Sequence, residues 1–400
     1  SPNPICSGNT LTLTATGQPG ATFTWTYPDG GGATGSPVTR NNVTTGMGGV
    51  YSVTQTVSGC TSTTSGTVNV TVNQTPAAPS AAASPNPICS GNTLTLTATG
   101  LVGATFNWSF PDGGTATGSP VTRSNVTTGM SGVYSVTQTV NGCTSTTAGT
   151  VNVTVNQTPS APTAGASPNP ICSGNTLTLT ATGQPGATFN WTYPDGGGAT
   201  GSPVTRTNVT TAMGGVYNVT QTVNGCTSTT PGSVSVTVNQ TPAAPTAAAS
   251  PNPICSGNTL TLTATGLPGA TYTWTYPDGG GTTGNPVTRS NVTTGMAGLY
   301  SVTQTINGCT STTAGTVNVT INQTPAAPTA NSNSPVCTGN AINLTATGQV
   351  GATFNWTYPD GPTATGTPVS RSNATTGMAG LYSVTQTVNG CTSTTAGSTT

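Results

Sequence analysis

Ten cysteines, five aspartates and five arginines are the residues of this sequence with the strongest claim to chemistry; histidine, lysine and glutamate are absent. The cysteines fall in pairs 54 residues apart: Cys6 and Cys60, Cys89 and Cys143, Cys172 and Cys226, Cys255 and Cys309, Cys337 and Cys391. An even, regular set reads as a disulfide framework in an oxidising compartment. Zinc is the competing chemistry, but it draws on closely spaced cysteines or on histidine, and the sequence offers neither. Asp29 and Arg40 open a second series, continued by Asp112 and Arg123, Asp195 and Arg206, Asp278 and Arg289, and Asp360 and Arg371, always eleven apart. One carboxylate per unit cannot run acid–base or nucleophilic catalysis, which needs a second carboxylate or a nucleophile beside a base. Nor can it assemble a calcium site. We therefore read Asp29 as a Pro-Asp-Gly turn residue and Arg40 as its ion-pair partner across strands. No catalytic residue, metal-ligating set or cofactor is expected.

These residues recur because the whole sequence recurs. The string SPNPICSGNTLTLTATG starts at Ser1 and returns at Ser84, Ser167 and Ser250, a step of 83, and an edited fifth copy starts at Ser332. That period suits a small autonomous domain and is too long for a solenoid turn. Dividing at the Gln-Thr-Pro prolines gives five repeats: 1–76, 77–159, 160–242, 243–325 and 326–400. The first opens mid-motif and the fifth stops before a copy of Thr67-Val68-Asn69-Val70-Thr71-Val72, so both ends are expected to be cuts through a longer array.

The elements that must position the cysteines and charges read as strands. Leu11, Leu13 and Ala15 alternate with threonines, as do Phe23, Trp25 and Tyr27. Tyr51, Val53 and Val57 share a face, and Val68, Val70 and Val72 read as one further strand. Period two, β-branched residues and punctuation by Gly, Pro and Asn predict antiparallel strands with one buried face. Pro28-Asp29-Gly30, Ser58-Gly59 and Asn141-Gly142 mark turns. Nothing carries a helical period. Trp25 and its counterparts Trp108, Trp191, Trp274 and Trp356, together with Tyr51, are expected in the core. Gln55 and its counterparts fall on a buried face and should bond to backbone. About seven short strands per repeat make a β-sandwich. Charged residues are 2% of the chain, against about 25% ordinarily. With zero net charge there is no footprint for nucleic acid or anionic lipid, and no apolar run is long enough to span a membrane.

The string C-x-G-N-T-L-T-L-T-A, F-x-W-x-Y-P-D-G and G-x-Y-x-V-T-Q-T-V-x-G-C, present in every repeat, resembles the Ig-like and PKD-like repeats of large Bacteroidota surface proteins, including gliding and attachment adhesins exported by the type IX system. The resemblance implies an all-β tandem array of five immunoglobulin-like sandwiches forming an elongated rod at the cell surface. It also implies where the disulfides run. The paired positions of an immunoglobulin-like domain are occupied here by Leu13 and Val53, and Cys6 and Cys60 are displaced from them toward opposite poles. The expected bonds are therefore between repeats: Cys6–Cys143, Cys89–Cys226, Cys172–Cys309 and Cys255–Cys391, with Cys60 and Cys337 pairing beyond this stretch. Bonds within each repeat remain the alternative, under a different topology. The implied role is a disulfide-stiffened structural stalk of a long extracellular adhesin or fibre. The rivals are a self-assembling filament subunit and a non-catalytic spacer of a secreted enzyme. Expected partners are neighbouring repeats, other copies of the chain in a fibre, and glycans on Asn-X-Thr sites such as Asn42, Asn69 and Asn73.

Overall fold

The computed structural model describes residues 1–400. Its second repeat shows how the strands arise. In Leu94–Thr99 burial follows the alternation of the sequence: Leu94, Leu96 and Ala98 are buried, while Thr97 and Thr99 are exposed. Threonine suits the extended backbone and keeps the outer face wet. This strand pairs antiparallel with Ser80–Ser84 on one edge and Val121–Arg123 on the other. The opposing sheet runs Thr115–Thr117, Thr105–Ser109 and Gly132–Val140, the last of which also pairs with Cys143–Thr144 and Gly149–Val153. The two sheets enclose one core, in which Leu94, Leu96 and Ala98 meet Trp108, Tyr134, Val136 and Val153. The third and fourth repeats bury nearly the same set, and the smaller cores of the first and fifth keep its Leu, Trp and Tyr centre, with Phe354 and Tyr358 added in the fifth.

Two features depart from the sequence reading. The segment from Gly149 to Asn156 is two strands, not one. Gly149–Val153 pairs antiparallel with Gly132–Val140, and Val155–Asn156 then pairs in parallel with Ile88–Cys89. Thr154, between them, loses its place in the antiparallel ladder. Its N–H donates to Asn86 Oδ1 at 3.0 Å and its carbonyl accepts from Ile88 N at 2.9 Å. The Asn of the Ser-Pro-Asn-Pro motif thus sews the change of partner. The second departure is a single 3-10 turn per repeat, such as Thr128–Met130. It brings the Met130 carbonyl 2.9 Å from the Tyr134 hydroxyl, which donates to it. That hydrogen bond is the tyrosine corner of immunoglobulin-like sandwiches.

Two tight places depend on glycine. Asn141 and Gly142 have φ of 49° and 81°, as a two-residue hairpin loop of the primed type requires. At Gly232, the start of a strand, the incoming linker passes so close that a Cβ would lie 1.9 Å from the Pro162 carbonyl oxygen. Gly232→Ala is expected to push the linker off that edge at a cost of about 1–3 kcal/mol. Hydrogen exchange should show lost protection in Thr163–Ser167. Gly66→Ala, whose Cβ would meet only Val53 Cγ1 at 3.6 Å, is the near-neutral control. Equal protection in the two variants would refute the close-approach argument.

Candidate functional site

The site that recurs most fully is the junction between repeats. In the parallel pairing at the foot of the first repeat, Cys6 stands opposite Asn73. A sulfur and a carboxamide therefore leave the same pole side by side. Across from them lies the hairpin Asn141–Gly142–Cys143 of the second repeat. The structure joins Cys6 to Cys143 with Cα atoms 5.6 Å apart, and Asn73 Nδ2 donates to the Asn141 carbonyl at 2.8 Å. Cys89–Cys226, Cys172–Cys309 and Cys255–Cys391 make the same connection at the other junctions. The accompanying amide bonds recur there: Asn156 to Asn224 at 2.9 Å, Asn239 to Asn307 at 2.8 Å and Asn322 to Asn389 at 2.9 Å. Cys60 and Cys337 are free and exposed.

The linker beside each staple is held from both sides. Thr75 donates its N–H to Ser7 Oγ at 2.9 Å and its hydroxyl to the Ser7 carbonyl at 2.6 Å, which fastens the linker to the repeat it leaves. Gln138 Nε2 donates to the Ala77 carbonyl at 2.9 Å, which fastens it to the repeat it enters. Gln138 Oε1 meanwhile accepts from Leu101 N at 2.8 Å, so a buried carboxamide is satisfied at both ends. Gln221, Gln304 and Gln386 do the same with Ser160, Ala243 and Ala326. Gln55 accepts from Gln18 N and is half-buried. Burial of Pro76 and Pro79 completes the contact. A short linker clamped in this way is a fixed joint, unlike a flexible tether.

Asp29 and Arg40 come together as a tie between the sheets. Arg40 donates to both carboxylate oxygens of Asp29, at 3.1 and 2.5 Å, and to the Tyr51 hydroxyl at 2.9 Å. Its guanidinium lies 4.4 Å from the centroid of the Tyr27 ring. The bidentate pair and the stacking use the geometry that distinguishes arginine from lysine. Arg40's hydrogen bonds hold the Asp29 carboxyl below its ordinary range. Burial raises the Tyr27 phenol above its own. A carboxyl with a lowered folded-state pKa stabilises the fold above the unfolded value of about 4, and that contribution is lost as pH falls through the folded value. A phenol with a raised pKa acts in the opposite direction, its contribution lost as pH rises above about 10. With no histidine in the chain, the melting temperature is expected to be flat between about pH 5 and 9 and to fall outside that window. A midpoint drifting steadily across neutral pH would contradict this.

The expected core residues occupy the core: Tyr51 and all five tryptophans are buried. Of the sequons, Asn42 and Asn69 are exposed, whereas the Asn73 amide is engaged at the junction. No local sequence signal separates that asparagine from a glycan acceptor, because its partner lies in the next repeat.

Three stretches of the chain, residues 76–156, 159–239 and 242–322, match the family model described as Ig-like domain, CHU_C associated. Together they make up more than half of the sequence. The chain belongs to this Ig-like family. Each matched stretch of the Ig-like array begins at a Gln-Thr-Pro proline and ends at the asparagine that reaches across the junction. No curated protein matches the sequence. Among solved structures, the N-terminal eight Ig domains of Down Syndrome Cell Adhesion Molecule align over 99% of this chain and 66% of theirs, at 15% identity and a TM-score of 0.29. The titin I-band fragment I67–I69 aligns over 61% of this chain and 99% of its own, at 16% identity and a TM-score of 0.33. Murine CEACAM1b aligns over 40% of this chain and all of its own, at 17% identity and a TM-score of 0.28. At such values the fold assignment rests on the strand pairing and the family match.

Proposed function

We propose that this chain is a structural stalk segment of a long extracellular surface adhesin or fibre, made to hold something at a distance and to do no chemistry of its own. The observation that carries this reading is the junction. A disulfide and an asparagine bond cross to the next repeat at all four places, with the linker clamped on both sides. Four disulfides suit an oxidising, extracellular setting. The charged side chains are the Asp–Arg ties, which support this reading by serving the fold. Near-identical repeats favour length over a series of different sites. Negative-stain imaging of the purified chain tests the proposal. Single thin rods of uniform length, on the order of 200 Å at about 40 Å per repeat, are expected. Bundled or end-to-end polymers would favour a filament subunit instead, and strings with random angles at the junctions would defeat the stalk reading.

A further inference from the structure

Each disulfide skips a repeat boundary, and successive ones overlap. Cys6 is bonded to Cys143, but the next bond along starts at Cys89, before Cys143 is reached. Following covalent bonds from one end, a route goes from Cys6 across to Cys143, along the backbone through the linker to Cys172, and across to Cys309. A second route goes from Cys60 along the backbone to Cys89, across to Cys226, along to Cys255 and across to Cys391. Every junction is thus crossed twice, once by backbone and once by a staple. The two routes exchange these roles at each step. The residues between the two cysteines of one repeat, such as 90–142 with Trp108, Tyr134 and the Asp112–Arg123 tie, lie on neither route. They form a rung between the two.

We propose that this interleaving makes the array a double covalent cable whose length under tension is capped even when its repeats unfold; the inference rests on the stalk reading. In an unstapled string of sandwiches, pulling can unravel a whole repeat once its hydrogen bonds fail. Here tension passes along each route through linker segments of about 30 residues that carry edge-strand core residues such as Val153 and Val155. The rungs with Trp108 and Tyr134 bear load only where a pull changes routes, which between Ser1 and Thr400 happens once. Cys60 and Cys337, the two free cysteines, are where each cable would continue into a further repeat of the same kind.

Pulling on the full chain by peptide tags at Ser1 and Thr400, with Cys60 and Cys337 alkylated, tests the proposal. Reduced and alkylated at all cysteines, 400 residues should extend to about 1,400 Å at about 3.5 Å per residue. Oxidised, the shortest covalent route uses three staples and about 100 residues of backbone, so extension should stop near 350 Å, a fourfold difference. Bonds within each repeat would instead stop it near 460 Å. Removing one staple by Cys6→Ser with Cys143→Ser should add only about 100 Å, the length of one linker segment, whereas the within-repeat scheme would lose two bonds and add about 380 Å. The shorter limits with the small increment support the cable. Equal extension before and after reduction, or the larger increment, would overturn it. Either of those results leaves the stalk reading standing, since imaging tests that reading separately.

Discussion

Reduction of the four disulfides is expected to lower the denaturant midpoint of the chain and to make its unfolding less cooperative. A bond spanning 137 residues stabilises by about 5 kcal/mol in the chain-entropy account, through the freedom it removes from the unfolded chain. The four loops overlap, so their contributions do not add. Once one staple holds two neighbours together, the next closes a chain that is already constrained. The larger effect is on coupling. Each staple ties the foot of one repeat to a hairpin of the next, so unfolding either partner strains the other. After reduction, the amide bonds from Asn73, Asn156, Asn239 and Asn322 and the linker clamps are what remain at the junctions. Such single hydrogen bonds contribute about 1 kcal/mol each. Urea unfolding followed by tryptophan fluorescence, which reports one buried indole per repeat, should therefore give a lower midpoint and a smaller slope in the reduced and alkylated chain. Coincident curves would show that the staples contribute neither stability nor coupling.

Much of one repeat can be read from its residues, and little of the joint between two. Strict alternation of Leu and Thr at Leu94–Thr99 encodes a half-buried strand, and Asn141-Gly142 encodes a turn, because both depend on local backbone preference. The aromatic positions are legible for the same reason: Trp108 and Tyr134 lie at the buried phase of their strands. The residues that bind repeat to repeat carry no such mark. Asn73 has the sequence context of a glycan acceptor, and only the neighbouring hairpin makes it a junction donor. Gln138 is legible as a buried amide in need of a partner, but nothing nearby in sequence indicates the carbonyl of Ala77. The strand break at Thr154 is hidden because Val151, Val153 and Val155 keep period two through it; what makes the break is the Asn86 side chain, far away in sequence. The disulfides are the exception. Spacing locates the sulfurs, and the topology of an immunoglobulin-like sandwich, which puts Cys6 and Cys60 at opposite poles, already directs each bond to the next repeat, as in Cys6–Cys143.

Truncating a core tryptophan should have the largest effect of any single substitution, and the third and fourth repeats should differ in how much. Trp191 is buried, and its Nε1 donates to the Gly201 carbonyl at 3.2 Å. Trp191→Ala removes that bond and leaves a void between the sheets, at a cost of about 3–5 kcal/mol. Ser202, next to Gly201, fixes the position of this carbonyl. Its hydroxyl accepts from Ala181 N at 2.7 Å and donates to Ala181 O at 2.9 Å. In the fourth repeat Asn285 replaces the serine. Its carboxamide spans the same two groups of Ala264, at 2.8 and 2.6 Å. The side chain is longer, and the backbone adjusts: φ is 133° at Gly284 against 103° at Gly201. Trp274 Nε1 is left buried without a partner. An unpaired buried donor costs about 1–3 kcal/mol, so the fourth repeat starts weaker and has no indole hydrogen bond to lose. Trp274→Ala should thus be milder than Trp191→Ala by roughly 1 kcal/mol, and Asn285→Ser should strengthen the fourth repeat by restoring the bond. Hydrogen exchange in the full chain reads both effects, through the amides of Leu177–Thr182 and Leu260–Thr265. If the two truncations cost the same and Asn285→Ser changes nothing, the Gly201 carbonyl is not what secures the indole. In that case packing of the ring alone would account for its contribution.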